Sequence, residues 1–176
     1  MARKTIDEAI DELFKDYKKA IKKAAQEATN KAKDDLYVHS LSCLIGYYND
    51  YPDPSRYNRT YNLMNCFVPL QRVTETADGF DCMAGIGYNP ARLDYVYSGS
   101  QKYDPTDSEW IVDNYLAGIH PRTDGSREVG GGDYENQKYQ GSFVPWNEMQ
   151  KYIDGYNDKF NKNFRFALSK QIMKLM

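Results

Sequence analysis

Residues 5–45 contain neither glycine nor proline, and this stretch constrains the fold more than any other feature of the sequence. Thr5 and Glu8 have the spacing of a capping box, which opens an α-helix. Apolar or small residues then recur every third or fourth position, as they do on one face of a helix: Ile6, Ile10, Leu13, Tyr17, Ala20, Ile21, Ala24, Ala28, Ala32 and Leu36. We therefore predict one helix within residues 1–48, of about 40 residues and roughly 60 Å.

A helix of this length extends beyond a small domain unless another element covers it. Alanines occupy the middle of its apolar stripe, and such small side chains let a second helix approach closely. Two interpretations of the stripe are equally open. It packs against a helix of a partner, or it packs against the C-terminal helix of the same chain.

A β-hairpin is predicted after this helix. Pro52 and Pro54 end helical structure, so residues 49–65 are interpreted as a joint. In the following stretch, CFVPLQRVTETADGFDCMAGIGYN, apolar residues alternate on two arms. Gly79 suits the turn between the arms because glycine tolerates a positive φ. Pro69 favours an edge or bulged strand for the first arm, since it cannot donate to a sheet ladder.

A second long helix is predicted over residues 146–175, with Gly155 as its weak point. Residues 120–142, before it, are polar and rich in glycine, and such a length is typical of either a mobile loop or an interaction loop. The sequence thus predicts a single α+β domain over residues 1–176. Its parts are the long N-terminal helix, a small twisted antiparallel sheet within residues 66–143, and the long C-terminal helix.

Charge and hydropathy narrow the class of protein. A net charge of −2 over 176 residues argues against a general nucleic-acid binder. Charge is nevertheless segregated: net +3 over residues 1–33, −6 over 74–113 and +4 over 151–176. This pattern suits head-to-tail contact between copies, ends that fold over the middle, or ordinary solvated faces. No apolar run approaches the length of a membrane span and no signal-peptide core is present, so we expect no membrane association.

No group of residues predicts catalysis, a metal site or a cofactor. Cys43, Cys66 and Cys82 fit no zinc pattern, and we expect buried free thiols in a reducing compartment. His120 lies near Asp113 in sequence, but a second strong ligand at useful spacing is missing. A small hydrolase or nuclease is therefore the weakest of the functional hypotheses.

Tyrosines cluster around the joint, at Tyr47, Tyr48, Tyr51, Tyr57 and Tyr61. They are compatible with a soluble binding module that holds a carbohydrate or a peptide. Tyrosine is also favoured at protein interfaces, where an apolar ring meets a wet rim. Because no catalytic residues accompany the cluster, we favour an interface or core role, and the binding module is the alternative.

The stretch YPDPSRYNRTYNLMN, with Arg59, Thr60 and Leu63, is followed directly by the predicted hairpin, and YLAGIHPR follows later. This arrangement resembles the small neck proteins of tailed bacteriophages, of the head–tail joining, tail-completion or minor capsid type. The family pairs a long N-terminal helix with a small twisted antiparallel sheet and a helix packed across it. The resemblance covers most of the chain in the order of its elements.

The resemblance implies a non-enzymatic structural protein of the virion neck or tail, made in the host cytoplasm, with no cofactor. Copies are expected to form a ring between the connector and the tail and to contact neighbouring connector and tail proteins. A non-specific contact with packaged DNA stays open, since DNA backbones attract lysine and arginine without sequence readout. The residues predicted at assembly interfaces are Tyr57, Arg59, Tyr61, Leu63, His120 and Trp146.

Overall fold

The structure is a computed structural model that describes residues 5–50, 62–89, 113, 115–121 and 138–175. It has the predicted α+β architecture: a long N-terminal helix, a two-stranded antiparallel hairpin and C-terminal helices. The helices are α1 (Ile6–Asn49), α2 (Pro145–Asp154) and α3 (Tyr156–Ile172), with a short 3-10 helix at Asn62–Cys66. The strands are β1 (Phe67–Glu75), β2 (Phe80–Tyr88), β3 (Ile119–Pro121) and β4 (Lys138–Gln140).

Helix α1 begins with the predicted capping box. The backbone N–H of Thr5 donates to Oε2 of Glu8 at 2.8 Å, and the N–H of Glu8 donates to Oγ1 of Thr5 at 3.3 Å. Asp7 and Glu8 occupy the first turn, where the helix dipole favours acidic side chains. The helix then continues for 44 residues, or about 66 Å, which confirms the prediction of one long N-terminal helix.

The C-terminal region differs from the single helix that was predicted over residues 146–175. It forms two helices, α2 and α3, which are separated at Gly155. Gly155 makes no side-chain cap for α3. Glycine disfavours a helix interior by about 1 kcal/mol relative to alanine, because it loses the most backbone freedom on folding. The interruption therefore falls at the residue that the sequence identified as the weak point.

Strands β1 and β2 form the predicted hairpin. The backbone N–H of Thr76 donates to the carbonyl of Gly79 at 2.9 Å, which closes the turn, and Gly79 has a φ of 155°. At the other end, the N–H of Asn89 donates to the carbonyl of Cys66 at 2.8 Å. In the described part of the chain each strand pairs only with the other, so Pro69 lies in an edge strand as expected.

The ends of the predicted loop 120–142 belong to strands. In the antiparallel pair β3–β4, Ile119 faces Gln140, His120 faces Tyr139 and Pro121 faces Lys138. Gly118, just before β3, has a φ of 70°, which disfavours any residue with a Cβ atom. Residues 122–137 lie outside the described residues.

The chain divides into two compact units. The first comprises residues 1–36, 69–85 and 155–176. Its core is the alanine stripe of α1, together with residues of α3: Ala20, Ala24, Ala25, Ala28, Ala32, Leu36, Tyr156 and Ala167. Nε2 of Gln171 donates to Oε1 of Glu27 at 2.6 Å, so α3 lies against α1. The stripe therefore packs against a helix of the same chain.

The second unit comprises residues 37–68 and 86–154. Its buried cluster is largely aromatic and contains Leu44, Tyr47, Tyr48, Leu63, Cys66, Phe67 and Tyr115. Asp50 follows the end of α1 and accepts hydrogen bonds from the Ser142 hydroxyl at 2.6 Å and the Phe143 N–H at 2.9 Å. These bonds hold residues 142–143, which precede α2, beside the C-terminal end of α1.

Candidate functional site

The structure describes three of the six predicted assembly residues, Leu63, His120 and Trp146. Tyr57, Arg59 and Tyr61 lie outside the described residues. Leu63 is buried in the aromatic cluster, whereas Trp146 is exposed on the first turn of α2. His120 belongs to β3 and pairs with Tyr139 of β4. Leu63 is therefore a core residue of the chain.

Two of the clustered tyrosines are core residues. The rings of Tyr47 and Tyr115 meet edge to face with centroids 5.2 Å apart, and those of Phe67 and Tyr88 do the same at 5.2 Å. Tyr47 and Tyr48 are both buried. Neither therefore lines a carbohydrate or peptide site, and the other three tyrosines of the cluster, at 51, 57 and 61, lie outside the described residues.

The centre of the aromatic cluster contains an unsatisfied hydroxyl. Tyr115 is fully buried, and its hydroxyl has no hydrogen-bond partner in the described part of the structure. Burial, with smaller contributions from Tyr88, Cys43 and other tyrosines, raises the pKa of Tyr115 far above its usual value. The group is a neutral phenol at any physiological pH, so it offers no acid–base chemistry.

A cysteine and a histidine lie close together on α1. Nε2 of His39 is 3.6 Å from Sγ of Cys43 and 3.3 Å from the carbonyl oxygen of Glu148. The His39 ring also stacks on Tyr152 of α2, with centroids 4.0 Å apart. The i,i+4 spacing of His39 and Cys43 was the available sequence signal.

This pair does not have the electrostatics of a nucleophilic site. Burial, together with the charge of Glu148, raises the pKa of the Cys43 thiol to about 11. A catalytic cysteine needs the opposite shift, because the thiolate is the nucleophile. The cluster instead anchors α2 against α1 within the second unit.

Asp35 organises the polar contacts of the first unit. Its carboxylate accepts hydrogen bonds from the Tyr156 hydroxyl at 2.7 Å, from Lys159 at 2.8 Å and from Lys31. Burial alone would raise the pKa of Asp35, but the bonds from Lys159, Lys31 and Tyr156 outweigh it and lower that pKa to about 2. The arrangement is an ion pair between helices that holds α3 against α1.

Within the described ranges, no group of three or more histidine, cysteine or acidic side chains is arranged to hold a metal ion. No helix of the described chain is long and apolar enough to span a membrane. A surface hollow beside α2 is open, and all the residues lining it come from the single stretch 142–154. It lacks the enclosing walls of a small-molecule site.

The first turns of α1 are the clearest candidate for a functional surface. No described residue before Ala20 is buried, although this segment contains large apolar side chains. Ile6, Ile10, Leu13 and Tyr17 follow a 4-3-4 spacing along one face, with Phe14 beside them. Ile6 is 80% exposed and Phe14 is 70% exposed. A signal for this surface exists in the sequence: the stripe changes from large side chains to alanines at residue 20.

No protein-family model, curated protein or solved structure matches the chain.

Proposed function

We propose that the chain is a structural protein of a tailed-phage virion, whose copies form a ring in the neck between the connector and the tail. The observation that carries the proposal is the exposed apolar stripe on the first turns of α1. An isolated helix segment gains little by exposing isoleucine, leucine and phenylalanine to water. Contiguous exposed apolar residues typically mark an interaction surface.

The length of α1 adds support. A helix of 44 residues reaches farther than a small domain needs, and its middle is covered by the chain itself. The uncovered start is then available to a neighbouring subunit or to another neck protein. Assembly by burial of such a surface requires no catalytic residue.

The described chemistry supports an assembly role over an enzymatic one. Cys43 is a protonated thiol, Asp35 is bound by Lys31, Lys159 and Tyr156, and the Tyr115 hydroxyl is a buried neutral group. Each of these groups contributes to packing within one compact unit. A catalytic group needs to be accessible to substrate and to have a pKa matched to its task. None of these three side chains meets both conditions.

Electron microscopy of the purified protein and of phage particles lacking it tests the proposal. We expect closed rings from the purified protein, and separate heads and tails from a phage in which its gene is deleted. A wild-type protein that is monomeric at every soluble concentration, with particles that join normally in its absence, would overturn the proposal. Binding of that monomer to a glycan or peptide array would then favour the binding module.

A further inference from the structure

Helix α3 presents an exposed face that combines apolar and basic side chains. Phe166 is 73% exposed, and Met173, which caps the helix, is 68% exposed. The two lie two turns apart, roughly 100° or more around the helix from the buried Ala167. Three basic residues accompany them: Lys162, Arg165 and Lys170. No ion pair between these three and another described residue is formed, so their charges face solvent.

The first turns of α1 combine apolar side chains with acidic ones, and so complement the apolar and basic face of α3. The apolar stripe that starts at Ile6 is bordered by Asp7 and Asp11, which also form no ion pair with a described residue. Both surfaces belong to the first compact unit, and both are exposed in the folded chain. The exposed start of α1 therefore does not cover α3 of its own copy.

We infer that the start of α1, residues 6–17, docks on the exposed face of α3 in a second copy of the chain. Apolar side chains on the two faces would be buried together, while acidic residues at the edge of one face meet basic residues at the edge of the other. Complementary charges of this kind fix register and exclude the wrong partners. The inference rests on the proposed self-assembly and names the contact that would carry it.

Such a contact joins two different surfaces, so every copy offers one of each. A heterologous contact of this kind generates a ring when the rotation between copies closes. Pairing of two α1 segments with each other is the main competing arrangement, and it needs no part of α3. The two arrangements therefore respond differently to charge changes on α3.

A charge-swap experiment on the full-length protein separates these arrangements. One variant carries Asp7→Lys with Asp11→Lys, and the other carries Arg165→Glu with Lys170→Glu. Sedimentation velocity measures the self-association of each variant alone and of an equimolar mixture. We expect each variant alone to associate at least about tenfold more weakly than wild type, because like charges then face each other. The mixture should recover association, since each altered face finds an opposite charge.

A matched control carries Lys22→Glu with Lys23→Glu, which makes the same charge change as the α3 variant at exposed positions of α1 beyond residues 6–17 and outside α3. It should associate like wild type. Normal association of the α3 variant alone would overturn the inference and favour pairing of α1 segments. Failure of the mixture to recover association, with both variants folded by circular dichroism, would also overturn it. If the α1 variant and the α3 variant each still form rings on their own, this contact is rejected, but the proposed neck function is not.

Discussion

The phenol of Tyr156 donates a 2.7 Å hydrogen bond to Oδ2 of Asp35, and so connects the first turn of α3 to the middle of α1. Lys159, one turn farther along α3, lies 2.8 Å from the same oxygen. The Asp35 side chain is only 14% exposed, so these bonds are largely shielded from water. This carboxylate therefore determines how α3 is held over the alanine stripe.

Replacing Asp35 should destabilise the protein. Asp35→Asn removes the charge that Lys159 and Lys31 approach, and we expect a loss of about 2 kcal/mol in the free energy of unfolding. Urea unfolding at neutral pH measures this loss. Asp34→Asn is the matched control. The Asp34 carboxylate is next to Asp35 in the sequence, but it is mostly exposed and lies 3.4 Å from Lys33, its ion-pair partner. Equal effects of the two changes would contradict this account.

The same carboxylate predicts a pH dependence. Its pKa is lowered to about 2 in the folded protein, against roughly 4 in an unfolded chain. A lowered pKa stabilises the fold fully above the unfolded value, and that stabilisation is lost as the pH falls through about 4 towards about 2. The difference in unfolding free energy between wild type and Asp35→Asn should therefore shrink over this window. A difference that is constant from neutral to acid pH would show that the charge is not responsible.

Two tyrosine-to-phenylalanine changes should have opposite results. Tyr115→Phe removes a buried hydroxyl without a hydrogen-bond partner, and should leave stability unchanged or raise it by up to about 1 kcal/mol. Tyr156→Phe removes a donor to a charged carboxylate and should cost about 1–2 kcal/mol. Thermal and urea unfolding of the two variants make the comparison. A marked loss for Tyr115→Phe would reveal a partner for its hydroxyl.

Two glycine-to-alanine changes test whether the turn before β3 requires glycine. Gly118 has a φ of 70°, and an added Cβ would collide with the backbone of Phe143. We expect Gly118→Ala to lower the free energy of unfolding by about 2 kcal/mol or more. Gly85→Ala in β2 is the control, since its Cβ would meet no atom within 4 Å. A well-folded Gly118→Ala with unchanged stability would contradict the strain at this turn.

The three cysteines should differ in reactivity. Cys43 and Cys66 are buried, whereas Cys82 is exposed on β2. The prediction of buried thiols thus holds for two of them, and Cys82 differs because it lies in a strand of a two-stranded hairpin. Iodoacetamide should label Cys82 in the native protein, and label Cys43 and Cys66 only after unfolding. Peptide mass spectrometry locates the label. Rapid native labelling of Cys43 would contradict its raised pKa.

Local sequence patterns predicted the helices and the hairpin well. The capping box at Thr5, the uninterrupted helical spacing and the glycine turn at Gly79 depend on neighbouring residues alone, so they can be found without tertiary information. The division of the last helix at Gly155 was visible only as a weak point, because propensity does not decide where packing breaks a helix.

The candidate surfaces were harder to predict, because exposure depends on which elements pack together. Sequence spacing places Ile6 and Ala24 on one stripe, yet only Ala24 is buried in the folded chain. The contact between Asp35 and Tyr156 joins residues far apart in sequence, so local patterns contain no signal for it. The motif at Arg59 predicted an interface at the joint, whereas the exposed apolar stripe of the described structure lies at the start of α1.

Removing the exposed start of α1 should separate folding from assembly. A protein lacking residues 1–17 loses no buried described residue, because burial in α1 begins at Ala20. We expect its free energy of unfolding to fall by less than about 1 kcal/mol, as is usual for surface changes. Its self-association should be lost, since the apolar stripe is gone. Thermal unfolding and electron microscopy of the same preparation measure the two effects.

A full-length variant with Ile10→Ser and Phe14→Ser, which keeps the helix, should behave in the same way. Rings of normal appearance from either protein would show that this surface does not drive assembly.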